Sequence, residues 1–125
     1  MTQESKQITY VVDDERLIAS TLAAILKNSG FAAVAYTNPL EALKAAESEA
    51  PALLISDVMM PEMTGIELAV RLKSLHPTCK VLLFSGQAAT ADLLQTARQD
   101  GHDFVLLQKP IHPKDLLAAI GTLRD

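Results

Sequence analysis

The chain has 125 residues, 49% hydrophobic and 21% charged, which fits one globular domain spanning 1–125, with a core over about 7–124 and no room for a second. Its net charge of −4, with Lys and Arg scattered from Lys6 to Arg124 and never clustered, argues against direct nucleic-acid binding. No apolar stretch approaches the ~20 residues of a membrane helix, and the polar start Met1 to Gln7 is unlike a signal peptide, so no membrane association and a cytoplasmic location are expected.

The first apolar run, Ile8 to Val12, lacks two-residue alternation, as suits a strand covered on both faces. Asp13, Asp14 and Glu15 follow it. A helical stripe of Leu17, Ile18, Leu22, Ile25 and Leu26 comes next, with Gly30 as its C-cap. The second strand, Phe31 to Tyr36, leads into Asn38, Pro39 and Glu41, which read as N-cap, first-turn proline and capping-box acid. The third, Ala52 to Ile55, ends at Ser56 and Asp57, and Leu68, Leu72 and Leu75 mark the helix after it. The fourth, Val81 to Phe84, ends at Ser85 and Gly86; a polar helix from Ala91 to Asp100 then stops at Gly101. Phe104 to Leu107 forms the fifth strand, followed by Lys109 and Pro110, and Leu116, Leu117, Ile120 and Leu123 line a last helix.

Strands alternating with helices give a mainly parallel α/β sheet covered on both faces, because parallel neighbours need right-handed crossovers. A closed (βα) barrel needs roughly 200 residues or more, so an open, doubly wound five-stranded sheet, (βα)5, is expected. Periodicity alone does not fix the strand order. Cys79 is the only cysteine, so no intrachain disulfide forms, and it reads as a small, partly buried residue.

In an open α/β sheet the ligand crevice lies beyond the carboxyl ends of the strands. Four of the five ends here are polar: Asp13 to Glu15, Ser56 and Asp57, Ser85 and Gly86, Lys109 and Pro110. Each alone has an ordinary explanation, such as acids at a helix N-terminus, a turn residue, a cap or a solvated charge. Together they say more. In the flavodoxin-like order 2-1-3-4-5, the first and third strands are neighbours, which brings Asp14 and Asp57 together. Crowded carboxylates raise a carboxyl pKa or take up a cation, and hard oxygen ligands suit Mg2+. Lys109 sits two strands from Asp57, roughly 10 Å across the sheet, a gap that only a long side chain spans. A carboxylate nucleophile, a metal, a hydroxyl and a lysine are the parts of phosphoryl transfer. A carboxylate with an ordinary pKa near ~4 needs no general base.

Val11-Val12-Asp13-Asp14-Glu15, the stretch Asp57-Val58-Met59-Met60-Pro61-Glu62-Met63-Thr64-Gly65-Ile66-Glu67-Leu68, Ser85-Gly86 and Lys109-Pro110 resemble the receiver domains of bacterial response regulators over almost the whole chain. The resemblance implies phosphorelay signalling, in which Asp57 takes a phosphoryl group from a histidine kinase or a histidine phosphotransfer protein. It implies Mg2+ on Asp14, Asp57 and the Met59 carbonyl, with Asp13 acting mainly through a metal-bound water. Lys109 would pair with the phosphoryl group, Ser85 would swing toward it, and a cis peptide would precede Pro110. Such a protein is no enzyme beyond Mg-dependent self-phosphorylation and self-dephosphorylation. Its output would be a downstream protein docking on the helix from Ala91 to Asp100, the last strand and the last helix, or a dimer formed on phosphorylation. Gly65 and Gly86 are expected to allow close approach to the site.

One departure concerns the family's switch aromatic, three residues before the lysine. That position is Leu106, the nearby aromatic is Phe104, and the spacing from Gly101 to Lys109 is one residue longer than in the family. Either a bulge re-aims Phe104, or signalling leans on Ser85 and the following helix without a rotating ring.

Other readings carry less. A haloacid-dehalogenase type phosphatase needs a second acid two residues after the nucleophile, where Met59 stands. A receiver that signals without phosphate would fold identically. His76, His102 and His112 lack metal-ligand spacing and read as surface or capping residues, and the five glycines make no Gly-x-Gly turn. Met59, Met60 and Met63 read as loop packing rather than a binding surface.

Overall fold

The computed structural model describes residues 7–86, 90–102 and 104–124. Along the chain run β1 (Ile8–Val12), α1 (Arg16–Asn28), β2 (Ala32–Tyr36), α2 (Pro39–Ser48), β3 (Leu53–Asp57), α3 (Gly65–Leu75), β4 (Lys80–Ser85), α4 (Thr90–Gln99), β5 (Val105–Gln108) and α5 (Pro113–Arg124). All strand pairs are parallel, in the order β2-β1-β3-β4-β5.

Pleating divides the apolar runs between two cores. Val11, Ile55, Leu82 and Phe84 pack with Leu22, Leu26, Leu116 and Ile120 from α1 and α5. Tyr10, Val12, Leu54 and Leu83 pack with Ala42, Leu68, Leu72 and Ala97 from α2, α3 and α4. Continuous apolar sequence is thus the mark of a sheet buried on both sides.

The predicted stripe of α1 needs one correction: Leu17 is 79% exposed. Leu17 and Leu26 are nine positions apart, about two and a half turns, so they project on opposite sides, and Leu26 faces the core. The α1 stop is as expected and more complete. Gly30, at φ +93°, and Phe31 donate their amides to the carbonyls of Lys27 and Leu26, a full Schellman motif. Gly101, at φ +94°, and His102 repeat it on the carbonyls of Arg98 and Ala97.

Asn38 caps α2 by accepting from the Leu40 amide at 2.8 Å, with Pro39 in the first turn. The reciprocal capping box is found at α3 instead: Thr64 Oγ1 accepts from the Glu67 amide and Glu67 Oε1 from the Thr64 amide. The polar residues at the strand tips belong to the ladder, since β3 includes Ser56 and Asp57 and β4 includes Ser85. By contrast, β5 begins at Val105 and leaves Phe104 outside it.

Candidate functional site

Parallel register sets the site. Val12 pairs with Ser56, and Asp57 pairs with Phe84, so the residues leaving β1, β3 and β4 emerge side by side. Asp13 extends β1 by donating its amide to the Tyr36 carbonyl at 3.1 Å. The amide of Val58 bonds the Phe84 carbonyl at 3.0 Å, and that of Lys109 bonds the Ser85 carbonyl at 3.0 Å. Backbone pairing therefore continues for a residue past β3 and β5.

Carboxylate oxygens of Asp13, Asp14 and Asp57 all lie within 4.8 Å of one another. Asp13 is fully buried, Asp57 nearly so, and Asp14 is exposed. Lys109 bridges the expected gap: its Nζ donates to Asp57 Oδ2 at 3.2 Å and lies 3.5 Å from Asp13 Oδ2. The ammonium also sits 5.3 Å from the centre of the Phe84 ring. Ser85 is buried at the tip of β4, beside the strand that ends in Asp57. The Lys109-Pro110 peptide is cis, as expected.

The electrostatics follow from burial. Burial, with smaller contributions from Asp57 and Asp14, pushes the Asp13 carboxyl up to about 6 against the opposing Glu15 amide at 2.8 Å and Lys109. Asp57 is also raised by burial, against the hydrogen bond and charge of Lys109 and a bond from the Met59 amide. Desolvation works against the Lys109 ammonium, yet Asp57 and Asp13 outweigh it and hold its pKa above the usual range. Asp13 Oδ2 is buried without a hydrogen bond, and the Lys109 ammonium 3.5 Å away is its charge partner. That oxygen without a hydrogen bond, in a cluster of three carboxylates, fits a hard divalent cation.

Gly65 is a positional requirement, because a Cβ there would run into the Asp57 carbonyl, and its amide donates to the Val58 carbonyl at 2.8 Å. Gly86 is not: a Cβ would meet only the Lys109 stem, at an ordinary 3.7 Å. Met60 and Met63 are buried in the core, as loop packing requires, and Met59 is 38% exposed beside the acids. His76 Nε2 pairs with the Ala46 carbonyl at 2.8 Å and ties α3 to α2. Sequence reasoning missed Glu62, a non-glycine residue at φ +73° in the loop after Asp57, and no pattern of side chains signals it.

The register of β5 against β4 is regular. Leu82 to Ser85 pair one for one with Val105 to Gln108, so β5 carries no bulge and Leu106 stands opposite Leu83. Phe104 lies before the strand, its ring stacked on His102 at 5.6 Å and packed against the α2–α3–α4 core. The longer spacing is absorbed ahead of β5.

A family model described as the response regulator receiver domain matches residues 9–121. Among curated proteins, the chain is 32% identical over 118 residues to the transcriptional regulatory protein CreB of Escherichia coli (strain K12), covering 94% of this chain and 51% of CreB. It is 32% identical over 110 residues to the response regulator receiver protein CpdR of Brucella abortus (strain 2308), covering 88% of this chain and 90% of CpdR. The chain thus spans about half of one relative and nearly all of another. Among solved structures, the chemotaxis protein CheY4 of Vibrio cholerae superposes with a TM-score of 0.82 at 27% identity, covering 95% of this chain and 99% of CheY4. With its strand order, acidic cluster and bridging lysine in place, the chain belongs to the response regulator receiver domain family of two-component systems.

Proposed function

We propose that this receiver accepts a phosphoryl group on Asp57 from a histidine kinase or a histidine phosphotransfer protein, and that the modified form recruits a downstream protein. The observation that carries the reading is the Lys109 ammonium 3.2 Å from Asp57 Oδ2, beside a cluster of three acids. An Asp57 oxygen attacks phosphorus, the donor's leaving group departs with its bonding electrons, and an acyl phosphate remains. Lys109 favours the ionised, nucleophilic form of Asp57 against the effect of burial and then faces the transferred group's oxygens. Asp13, Asp14, Asp57 and the Met59 carbonyl would hold Mg2+, which when bound supplies positive charge between the carboxylates and the phosphoryl oxygens.

Ser85, at the next strand tip, would donate its hydroxyl toward the phosphoryl group, and α4, β5 and α5 would form the output face. Leu106 at the position three residues before Lys109 favours a switch that runs through Ser85 and α4 without a rotating ring. The same site would return the protein to its resting form by hydrolysing its own acyl phosphate.

The test is intact-mass analysis after incubation with acetyl phosphate and Mg2+. The chain gains one phosphoryl group, chelation by EDTA abolishes the gain, and Asp57→Asn gains none. A full gain in Asp57→Asn refutes the site.

A further inference from the structure

At the opposite end of the sheet, where the strands begin, lies a cavity of about 890 Å³. Its volume falls within the range of sites for small organic ligands. Phe31 and Leu53 supply apolar surface, Lys27 and Lys80 are its cations, and Thr9 and Thr78 bring hydroxyls. Among the described residues no Asp or Glu lines it, in a chain whose net charge is −4. The acids gather at one end of β1 and β3, and among the described residues this end is lined by two lysines and no acid.

Thr9 makes the cavity more than a surface dip. It is 3% exposed, held in the ladder between Ala33 and Leu53, and still borders the cavity. None of the described hydrogen bonds uses its hydroxyl. The hydroxyl keeps some exposure on the cavity side, where it can donate to or accept from a ligand atom. The Schellman bonds at the end of α1 engage the Leu26 and Lys27 carbonyls, which blunts the negative pole of that helix where it borders the cavity.

We infer that this cavity binds a small organic anion, its charged group set between Lys27 and Lys80 and its apolar body laid against Phe31 and Leu53. The site is independent of Asp57: Thr9 is four residues from Asp13 along β1, about 13 Å at the rise of a strand. Charge alone does not define the ligand, because half of the recognition is apolar.

The experiment uses the full chain and 2-naphthalenesulfonate, an aryl anion that cannot donate a phosphoryl group. Inorganic sulfate supplies the charge-only control and 2-naphthol the body-only control. Amide NMR titration locates binding, and calorimetry gives the affinity. The expected result is saturable shifts at Lys27, Phe31, Leu53, Thr78 and Lys80, with both controls at least roughly tenfold weaker. The Lys27→Gln/Lys80→Gln variant, altered only at exposed positions, keeps the native amide spectrum and loses roughly tenfold in affinity. Equal binding by either control, shifts centred elsewhere, no saturation, or an unchanged double variant would each overturn the inference.

Discussion

The Lys109 ammonium stands 3.2 Å from Asp57 Oδ2, although β4 lies between the strands that carry them. The lysine stem crosses Gly86 and the Phe84 ring to make this contact. Removing the cation leaves Asp13 and Asp57 to repel each other, relieved only by taking up a proton. Lys109→Met is expected to lower stability by about 1–2 kcal/mol in urea denaturation at neutral pH. It should also slow Asp57 phosphorylation by acetyl phosphate at least ~tenfold, read by mass spectrometry over time.

Asp13 is a liability in the metal-free protein, since its Oδ2 is buried without a hydrogen bond and burial pushes its carboxyl up to about 6 despite the Lys109 ammonium 3.5 Å away. Asp13→Asn removes the charge and keeps the size. Without Mg2+ at pH 7.5 or so, the variant is expected to be more stable than the parent by about 1–2 kcal/mol. Adding Mg2+ raises the thermal midpoint of the parent and leaves that of the variant nearly unchanged; equal shifts would exclude Asp13 from the metal site.

Gly65→Ala tests the packing under the nucleophile. The added methyl meets the Asp57 carbonyl, so the chain has to move β3 or the start of α3. A loss of about 1–3 kcal/mol in urea denaturation is expected. Gly86→Ala, with its contact at 3.7 Å, should cost far less, and an equal loss at both positions would contradict the geometry.

Cys79 supplies a pH signature. Burial pushes its thiol up to about 11, whereas an unfolded cysteine ionises near ~8.5. Between those values the unfolded chain has released its proton and the folded one has kept it. Its contribution is full below about 8.5 and is lost as pH rises toward 11. Parent stability should therefore fall more steeply over this window than that of Cys79→Ala, as urea midpoints at successive pH values will show. Thiol reagents should label Cys79 slowly in the folded protein and quickly in urea.

How much of this was readable from residue types depends on the kind of interaction. Runs such as Leu53 to Ile55 announce themselves because both faces of the sheet are covered, so the strands and their polar ends were plain. The 2-1-3-4-5 order was not, since crossover length carries no record of which neighbour a strand joins, and it came with the doubly wound fold class rather than from particular residues. Capping was legible and misassigned in part. Both Asn38–Glu41 and Thr64–Glu67 have the right spacing, yet the reciprocal bonds form at the second. The extra residue between Gly101 and Lys109 was visible as a count, but only pairing with β4 locates it ahead of β5. Leu17 was misjudged because a list of apolar residues omits angle, and Thr9 escaped notice because a threonine in a strand carries no signal of what it borders.

The bond between the Val58 amide and the Phe84 carbonyl fastens the chain one step beyond Asp57. On the proposed reading, a nucleophile anchored on both sides would have little room to recoil when a dianion is added to it. The effect of the new charge would then pass sideways, into the loops and the buried hydroxyl at the next strand tip, and a rigid seam would serve as the fulcrum of a signal.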